Sequence, residues 1–490
     1  MQQEDHSTRT PKAAAGLAWS WPALVPAAML LVLLCRKVWD VDIFWQLKLG
    51  ELILARHGPV RTEPFAALHL GESLPSVAWL GQAVMAGARL LGGWGLLRLV
   101  DALCWLGGFW AVAWACGKRG APTGAVMLAL GLTFLAALPT ASIRPQSFAV
   151  LCFGLLLAIQ RLGLRPAVAI GIGAPLLLLW QNLHPSVSVG VAAMGMTALA
   201  GWLGWLRNRG SGAPIAPSVL ALVGIAATFA TPDGVSVIDI SARNAEASMA
   251  IGASEWLPLW IPANHINAVP VLIVVCVTLW LAVSRRSRLD AGEVAVALLL
   301  FAMTLTAYRF VLFWAVAMVP LIVRVASEAD DKVAPPALSS KALLVPLLAV
   351  AVLGPFAVPT RFEPTIPIAA LERLKREGLR GTVYGDFPFG GAIIDAGYPA
   401  WRVAYDGRYY RYSSDEWKYN GGIENDYVPL VDVERKWQPV AFVLNVSHNA
   451  PIADDLAHSR RWRRIYSRED IVVYVKRKFR RPASRGSALR

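Results

Sequence analysis

Apolar residues fall along this chain in long unbroken runs rather than on one face of a repeating helix. Runs at 19–35, 96–116, 122–141, 146–160, 166–182, 186–206, 216–231, 269–284, 291–307, 311–326 and 342–358 carry few charges. Most approach the roughly 20 residues a helix needs to cross a hydrocarbon core, and together they predict about 11 transmembrane helices. The run from Trp19 to Cys35 lacks a cleavage site followed by a soluble chain, so it reads as an anchor rather than a removed signal peptide. Two stretches, 43–56 and 77–94, instead mix polar and apolar positions at helical spacing. They predict amphipathic helices lying at the membrane interface. Past residue 359 the pattern changes again. A helix over Ile368–Glu377 precedes short β-rich runs at Thr382–Tyr384, Ala441–Val446 and Ile471–Val475, the signature of a small α/β domain.

Composition agrees with that pattern. The 490 residues are 56% hydrophobic and 16% charged, with a mean hydropathy of +0.48, whereas a soluble domain carries about 25% charged residues. An ordinary soluble enzyme and a disordered chain are both excluded. The net charge of +14 then takes its meaning from position. Arg9, Lys12, Lys118-Arg119, Arg161, Arg165, Arg207, Arg209, Arg285-Arg286, Arg288 and Lys332 all fall on one side, which the positive-inside rule makes cytoplasmic. Reading 77–94 as a further span would move every later loop across the membrane and destroy this asymmetry.

The resulting division is a cytoplasmic segment 1–18, a membrane domain 19–358 with outer loops 37–95 and 232–267, an extracytoplasmic α/β domain 359–475, and a basic tail 476–490. The tail holds Lys476, Arg477, Lys478, Arg480, Arg481, Arg485 and Arg490 with no acid. It suits anionic lipid headgroups, so the charge does not call for nucleic acid. The five cysteines lie in or beside the apolar runs without metal-ligand spacing.

Candidate chemistry gathers at the outer ends of the spans. Asp40 and Asp42 follow the first span. Such a pair suits chelation of a divalent metal, Mg or Mn, beside a phosphate, or one general base steadied by a second charge. A helix-start cap is the plainer alternative. Outer turns further along carry Arg144 and Gln146, Asn182 and His184, and Arg309, while Glu255 stands beside Trp256 in the second outer loop. Arginine at such a turn binds phosphate well, although it also snorkels to headgroups without further function. No GxSxG, HExxH, CxxC or P-loop pattern occurs.

Asp40-x-Asp42-x-x-Trp45-x-Leu47-x-x-Gly50 resembles the first motif of bacterial multi-pass proteins related to the GT-C-fold glycosyltransferases. The likeness continues through Glu63-Pro64-Phe65, Trp79-Leu80, Arg144-Pro145-Gln146, Asn182-Leu183-His184, Glu255-Trp256-x-Pro258, Arg309, Gly390-Gly391 and Asp406-Gly407-Arg408. It implies an all-α polytopic, GT-C-like membrane protein with a polyprenyl-phosphate-sugar as its lipid partner and its active site at the outer face of the bacterial cytoplasmic membrane. Asp40 or Asp42 would then be catalytic or metal-binding, with Arg144, Gln146, Asn182, His184, Glu255 and Arg309 around the substrate phosphate. The acceptor, whether glycan, lipid or protein, is left open. The chain departs from its relatives in having Gln46 where they usually carry His, Val77-Ala78 where they carry His-Glu, and Pro185 after the Asn-x-His turn. A lipid-linked sugar transporter or flippase, and a non-catalytic envelope scaffold that keeps the fold, are the competing readings.

Overall fold

The computed structural model describes residues 24–210, 212–250, 252–285, 289–327 and 340–477. The N-terminal segment, the start of the first predicted span, Arg286, Arg288, Lys332 and nearly all of the basic tail lie outside them. Among the described residues, six helical segments are long and apolar enough to cross a membrane: Trp79–Lys118, Thr123–Thr140, Pro166–Leu183, Val187–Arg207, Pro262–Ser284 and Tyr308–Ala326. Five shorter apolar helices accompany them: Val25–Cys35, Gln146–Leu162, Ile215–Thr228, Ala291–Thr306 and Leu343–Ala357.

In chain order the membrane part contains α1 (Val25–Cys35), α2 (Asp42–Arg56), α3 (Trp79–Lys118), α4 (Thr123–Ala137), α5 (Gln146–Leu162), α6 (Pro166–Leu183) and α7 (Val187–Arg207). It continues with α8 (Ile215–Thr228), α9 (Val237–Ala250), α10 (His265–Ser284), α11 (Ala291–Thr306), α12 (Val311–Ala326) and α13 (Ser340–Ala357). The amphipathic stretch 77–94 and the apolar run 96–116 prove to be one helix in name. Backbone at Gly92 and Gly93 is non-helical, with φ +60° at Gly93. That left-handed conformation suits glycine, and the kink separates the two predicted segments. Residues 232–267 contain α9.

Helix α12 is buried almost all round, as the centre of a bundle requires. Helices α3 and α5 touch through small residues. A Cβ on Gly154 would strike the backbone of Gly108, and one on Gly108 the carbonyl of Val150. Such glycines let membrane helices approach closely. Outward-facing positions of α8, α10 and α13 remain apolar, among them Leu222, Trp280, Val283 and Phe356. An exposed apolar band of this kind needs lipid or a partner.

The C-terminal unit contains α14 (Ile368–Lys375), β1 (Gly381–Gly385), α15 (Gly390–Gly397), β2 (Trp401–Val403), α16 (Ser414–Glu424) and α17 (Leu430–Trp437). It ends with β3 (Ala441–Asn445), α18 (Ala450–His458), β4 (Trp462–Arg468) and β5 (Ile471–Lys476). Its sheet order is β2-β1-β3-β5-β4. β1 runs parallel to β2 and β3, and β5 runs antiparallel to β3 and β4. The three expected strands form its centre; β2 and β4 add the edges.

Helix α2 is wedged between α3 and this unit, and that placement fixes the site. A Cβ on Gly50 would strike the Gln82 carbonyl, and one on Gly391 would lie 2.6 Å from the Val41 carbonyl. Arg89 of α3 pairs with Glu51 of α2 and Asp395 of α15. A second clamp sits deeper. Arg408, fully buried, donates to both carboxylate oxygens of Glu63 (2.6 and 2.9 Å) and both of Asp406 (2.8 and 2.7 Å). The remaining lone pairs of Glu63 accept the amides of Phe65 and Ala66, and Tyr412 donates to Asp406. Burial opposes ionisation of Asp406, but the adjacent guanidinium overcomes it and holds the carboxyl below its usual range.

Candidate active site

Where the N-terminal ends of α5, α7 and α12 meet α2, α9 and the C-terminal unit, a cavity of about 310 Å³ opens. Its walls include Asp42, Gln46, Arg144, His184, Glu255 and Arg309, with Tyr409 and Tyr410 closing one side. Asp40 is not among the lining residues. Its Oδ1 accepts the amide of Asp42 at 2.9 Å, and its Oδ2 lies 3.2 Å from Arg144 Nε. An aspartate bonding the backbone two residues ahead is a local turn device; the cap position of α2 belongs to Val41, with no side-chain capping bond. Asp42, the first residue of α2, faces the cavity instead.

Asp42 Oδ1 accepts Trp45 Nε1 at 3.0 Å. Burial, followed by the neighbouring Asp40 charge, pushes its carboxyl up to about 7. This is the expected result when two like charges share a poorly solvated corner. Gly407 packs against the same carboxylate so closely that any Cβ there would overlap Asp42 Oδ1. A Gly407→Ala protein should therefore fold but displace Asp42. A loss of about 10²-fold in turnover is expected from a misplacement of that size, read as kcat against an unchanged thermal midpoint.

Arg144 lies in the turn before α5, where its amide donates to Asp101 Oδ1 at 3.3 Å. Asp101 in turn pairs with Arg36 at the end of α1. The Arg144 guanidinium also pairs with Glu255. Burial works against its positive charge, but Glu255 and Asp40 reverse that, raising its pKa. Arg309 approaches the other oxygen of Glu255 at 3.9 Å and stacks 4.0 Å over the Trp256 ring. A backbone bond from Tyr308 N–H to the Leu257 carbonyl, 3.0 Å, joins these two turns. Burial would raise Glu255, but Arg144 and Arg309 bring it down to about 2. His184 donates to or accepts from Ser186 Oγ at 2.9 Å. Burial and then the two arginines lower its pKa to about 3, which leaves a neutral imidazole at ordinary pH.

The structure thus brings Asp42, Arg144, Gln146, His184, Glu255 and Arg309 to one cavity, with Asp40 directly behind. Asn182 is elsewhere. Its side chain accepts Trp79 Nε1 and donates to the carbonyls of Leu178 and Ala230, so it ties α6 to α3 and to the turn after α8. Trp256, which sequence alone favours as an interfacial anchor, forms a wall beneath Arg309. Ser241 and Asn244 of α9, together with Tyr409 and Tyr410, also line the cavity. The aromatic run at 405–412 was the one available signal for the tyrosines, and α9 left none.

Among the described residues, no three or more His, Cys, Asp and Glu side chains are grouped to hold a metal ion. Within the Asp40–Asp42 pair, Asp40 faces the Asp42 amide and the Arg144 guanidinium.

No protein-family model matches the chain, and no curated protein matches it in sequence. Solved structures do match. ArnT from Cupriavidus metallidurans bound to undecaprenyl phosphate aligns with a TM-score of 0.53 and 13% identity, covering 92% of this chain and 97% of that one. The same protein in the apo state aligns at 0.43 over 92% and 96%. The chain has the ArnT fold, as the GT-C resemblance implied.

Proposed function

We propose that the chain is a membrane glycosyltransferase moving a sugar from a polyprenyl-phosphate-linked donor to an acceptor at the outer face of the cytoplasmic membrane. One observation carries this reading above the others: a carboxylate with its pKa near 7 shares a cavity with two guanidiniums, in a fold whose solved counterpart was bound to undecaprenyl phosphate. In this reading all eleven apolar helices span the membrane, the N-terminus is cytoplasmic and the α/β unit lies outside.

Asp42, through the oxygen not held by Trp45, takes the proton of an acceptor hydroxyl. The acceptor oxygen forms its bond to the anomeric carbon as the bond from that carbon to the lipid phosphate breaks, with inversion. Arg144 and Arg309 meet the charge left on the phosphate, the stabilisation that counts most in such a step. Neutral His184 adds a hydrogen bond without competing for the proton. Arg144 supplies the positive charge otherwise asked of a metal, so excess chelator should leave the rate unchanged.

The active form of Asp42 is the carboxylate. Its pKa of about 7 means that kcat/KM should climb about tenfold per pH unit below that value and level off above it. A profile flat across this range would remove Asp42 from the role of base. Donor binding tests the phosphate assignment separately. Undecaprenyl phosphate should bind the purified protein about tenfold more weakly after Arg309→Gln, the loss of one charged hydrogen bond. Unchanged affinity would contradict it.

A transporter would place its ionisable groups along a pathway near the midplane. Asp101 and Arg98 are buried within α3 and Glu293 is half-buried in the first turn of α11; in the sequence Asp101 and Glu293 are the two exceptions near span ends. They are nevertheless paired locally: Arg98 with the carbonyls of Leu34, Val358 and Pro359, Asp101 with Arg36, and Glu293 with Arg161 and Arg324. That arrangement favours the transferase.

A further inference from the structure

The opposite end of the bundle holds a second cavity, of about 610 Å³. Helix α5 starts at the active site with Gln146 and ends beside this cavity with Leu162. Its 17 residues put roughly 25 Å between its two ends. Helix α12 also passes both cavities, lining the first with Phe313 and the second with Ala317, Pro320 and Arg324, and no residue lines both. The reaction proposed above uses nothing here.

Three guanidiniums, Arg119, Arg161 and Arg324, line this cavity against two carboxylates, Asp290 and Glu293. Asp290 caps α11 by accepting the Glu293 amide at 3.0 Å. Glu293 is shared: Arg161 Nη1 reaches it at 2.7 Å, and Arg324 Nε and Nη2 reach it at 2.8 and 3.0 Å. Three guanidiniums against two carboxylates leave one positive charge over, and Arg119 is the exposed one of the three. The unmet hydrogen-bonding groups have the same sense. Among the described residues, Arg161 Nε and Gln160 Nε2 are buried without a hydrogen-bond partner. Both are donors, and buried donors are costly to leave unmade. What satisfies them is therefore an acceptor, and the surplus charge makes that acceptor anionic. Deeper in, the wall turns apolar at Leu157, Val296 and Ala317, and the mouth opens among helix ends that the positive-inside rule places at the cytoplasmic face.

We propose that this cavity binds the phosphate-bearing headgroup of an anionic membrane lipid, at a site separate from the active site. A basic pocket between membrane helices on the cytoplasmic side matches that chemistry, and the apolar inner wall favours a lipid over a free anion. The assignment does not depend on the transferase reading, because it needs no donor and no turnover.

Native mass spectrometry of the full-length protein, titrated with phosphatidylglycerol, phosphatidylcholine or inorganic phosphate, tests it. Phosphatidylglycerol should be retained about tenfold better than phosphatidylcholine. Arg119→Glu, at an exposed helix end, and Gln160→Leu should each reduce that preference several-fold while leaving the Glu293 ion pairs in place. Equal retention of the two lipids, or an undiminished preference in both variants, would overturn the site. Displacement of phosphatidylglycerol by millimolar phosphate would overturn the lipid assignment and make a soluble anion the ligand.

Discussion

An Asp42→Asn protein is expected to lose about 10²–10⁴-fold in the rate of sugar transfer, the usual contribution of a positioned base. Asparagine keeps the shape of the side chain and can still accept Trp45 Nε1 through its amide oxygen. Insertion, folding and donor affinity should therefore stay near wild type, and the loss should fall on kcat. Asp40→Asn should behave differently. Asp40 touches Arg144 and the Asp42 amide but does not line the cavity. Removing its charge takes away one of the influences that raise the Asp42 pKa, so the acidic limb of the pH profile should move to lower pH while much of the rate survives. The two variants thus separate a group that meets substrate from one that tunes it.

Arg408→Met is expected to cost about 3–5 kcal/mol in stability, the effect of stranding buried charge by removing its partner. Glu63 and Asp406 would be left facing one another without the guanidinium that now bridges them, both side chains being fully buried. The first outer loop and the C-terminal unit are held together at this point, with Val403 N–H donating to the Phe65 carbonyl alongside. Thermal unfolding of the purified protein, and faster proteolysis within residues 361–477, would report the loss. Adding Glu63→Gln and Asp406→Asn to Arg408→Met should recover part of it, because no unpaired carboxylate then remains. Activity should fall with Arg408→Met as well, since Gly407 between Asp406 and Arg408 packs on the Asp42 carboxylate.

The legible parts of this molecule are those written in local pattern. Run length marked the apolar helices, the mix of polar and apolar positions marked α2 and the first half of α3, and short β-rich runs marked β1, β3 and β5. Charge placement and short motifs singled out Asp42, Arg144, His184, Glu255 and Arg309 as site candidates. What stayed hidden depends on pairing between distant residues. Nothing near Glu63 announces that its partner lies 345 positions away, and nothing in the Asn182 turn distinguishes a side chain that ties helices together from one that faces a cavity. β4 was missed because its Arg463, Arg464 and Arg468 interrupt any β-rich run; an edge strand tolerates, and is protected by, such charges. α9 has a mixed sequence, VIDISARNAEASMA, whose helical character is decided by packing at the cavity rather than by any cap or stripe.

The departures from related sequences also acquire a physical meaning. Gln46 and Val77-Ala78 line the same cavity as Asp42, which is where the resemblance expects a His and a His-Glu pair. In the function proposed above, the proton transfer falls on Asp42 and the charge stabilisation on Arg144 and Arg309.

Consumption of lipid-linked sugar by purified protein in proteoliposomes tests the transferase reading most directly. Liposomes would be loaded with radiolabelled polyprenyl-phosphate sugars and an extract of envelope acceptors, then followed for release of free polyprenyl phosphate. Wild-type protein should release it in the presence of chelator, and Asp42→Asn protein should not. Release at the same rate by both proteins, or by neither across the sugars tested, would contradict the account.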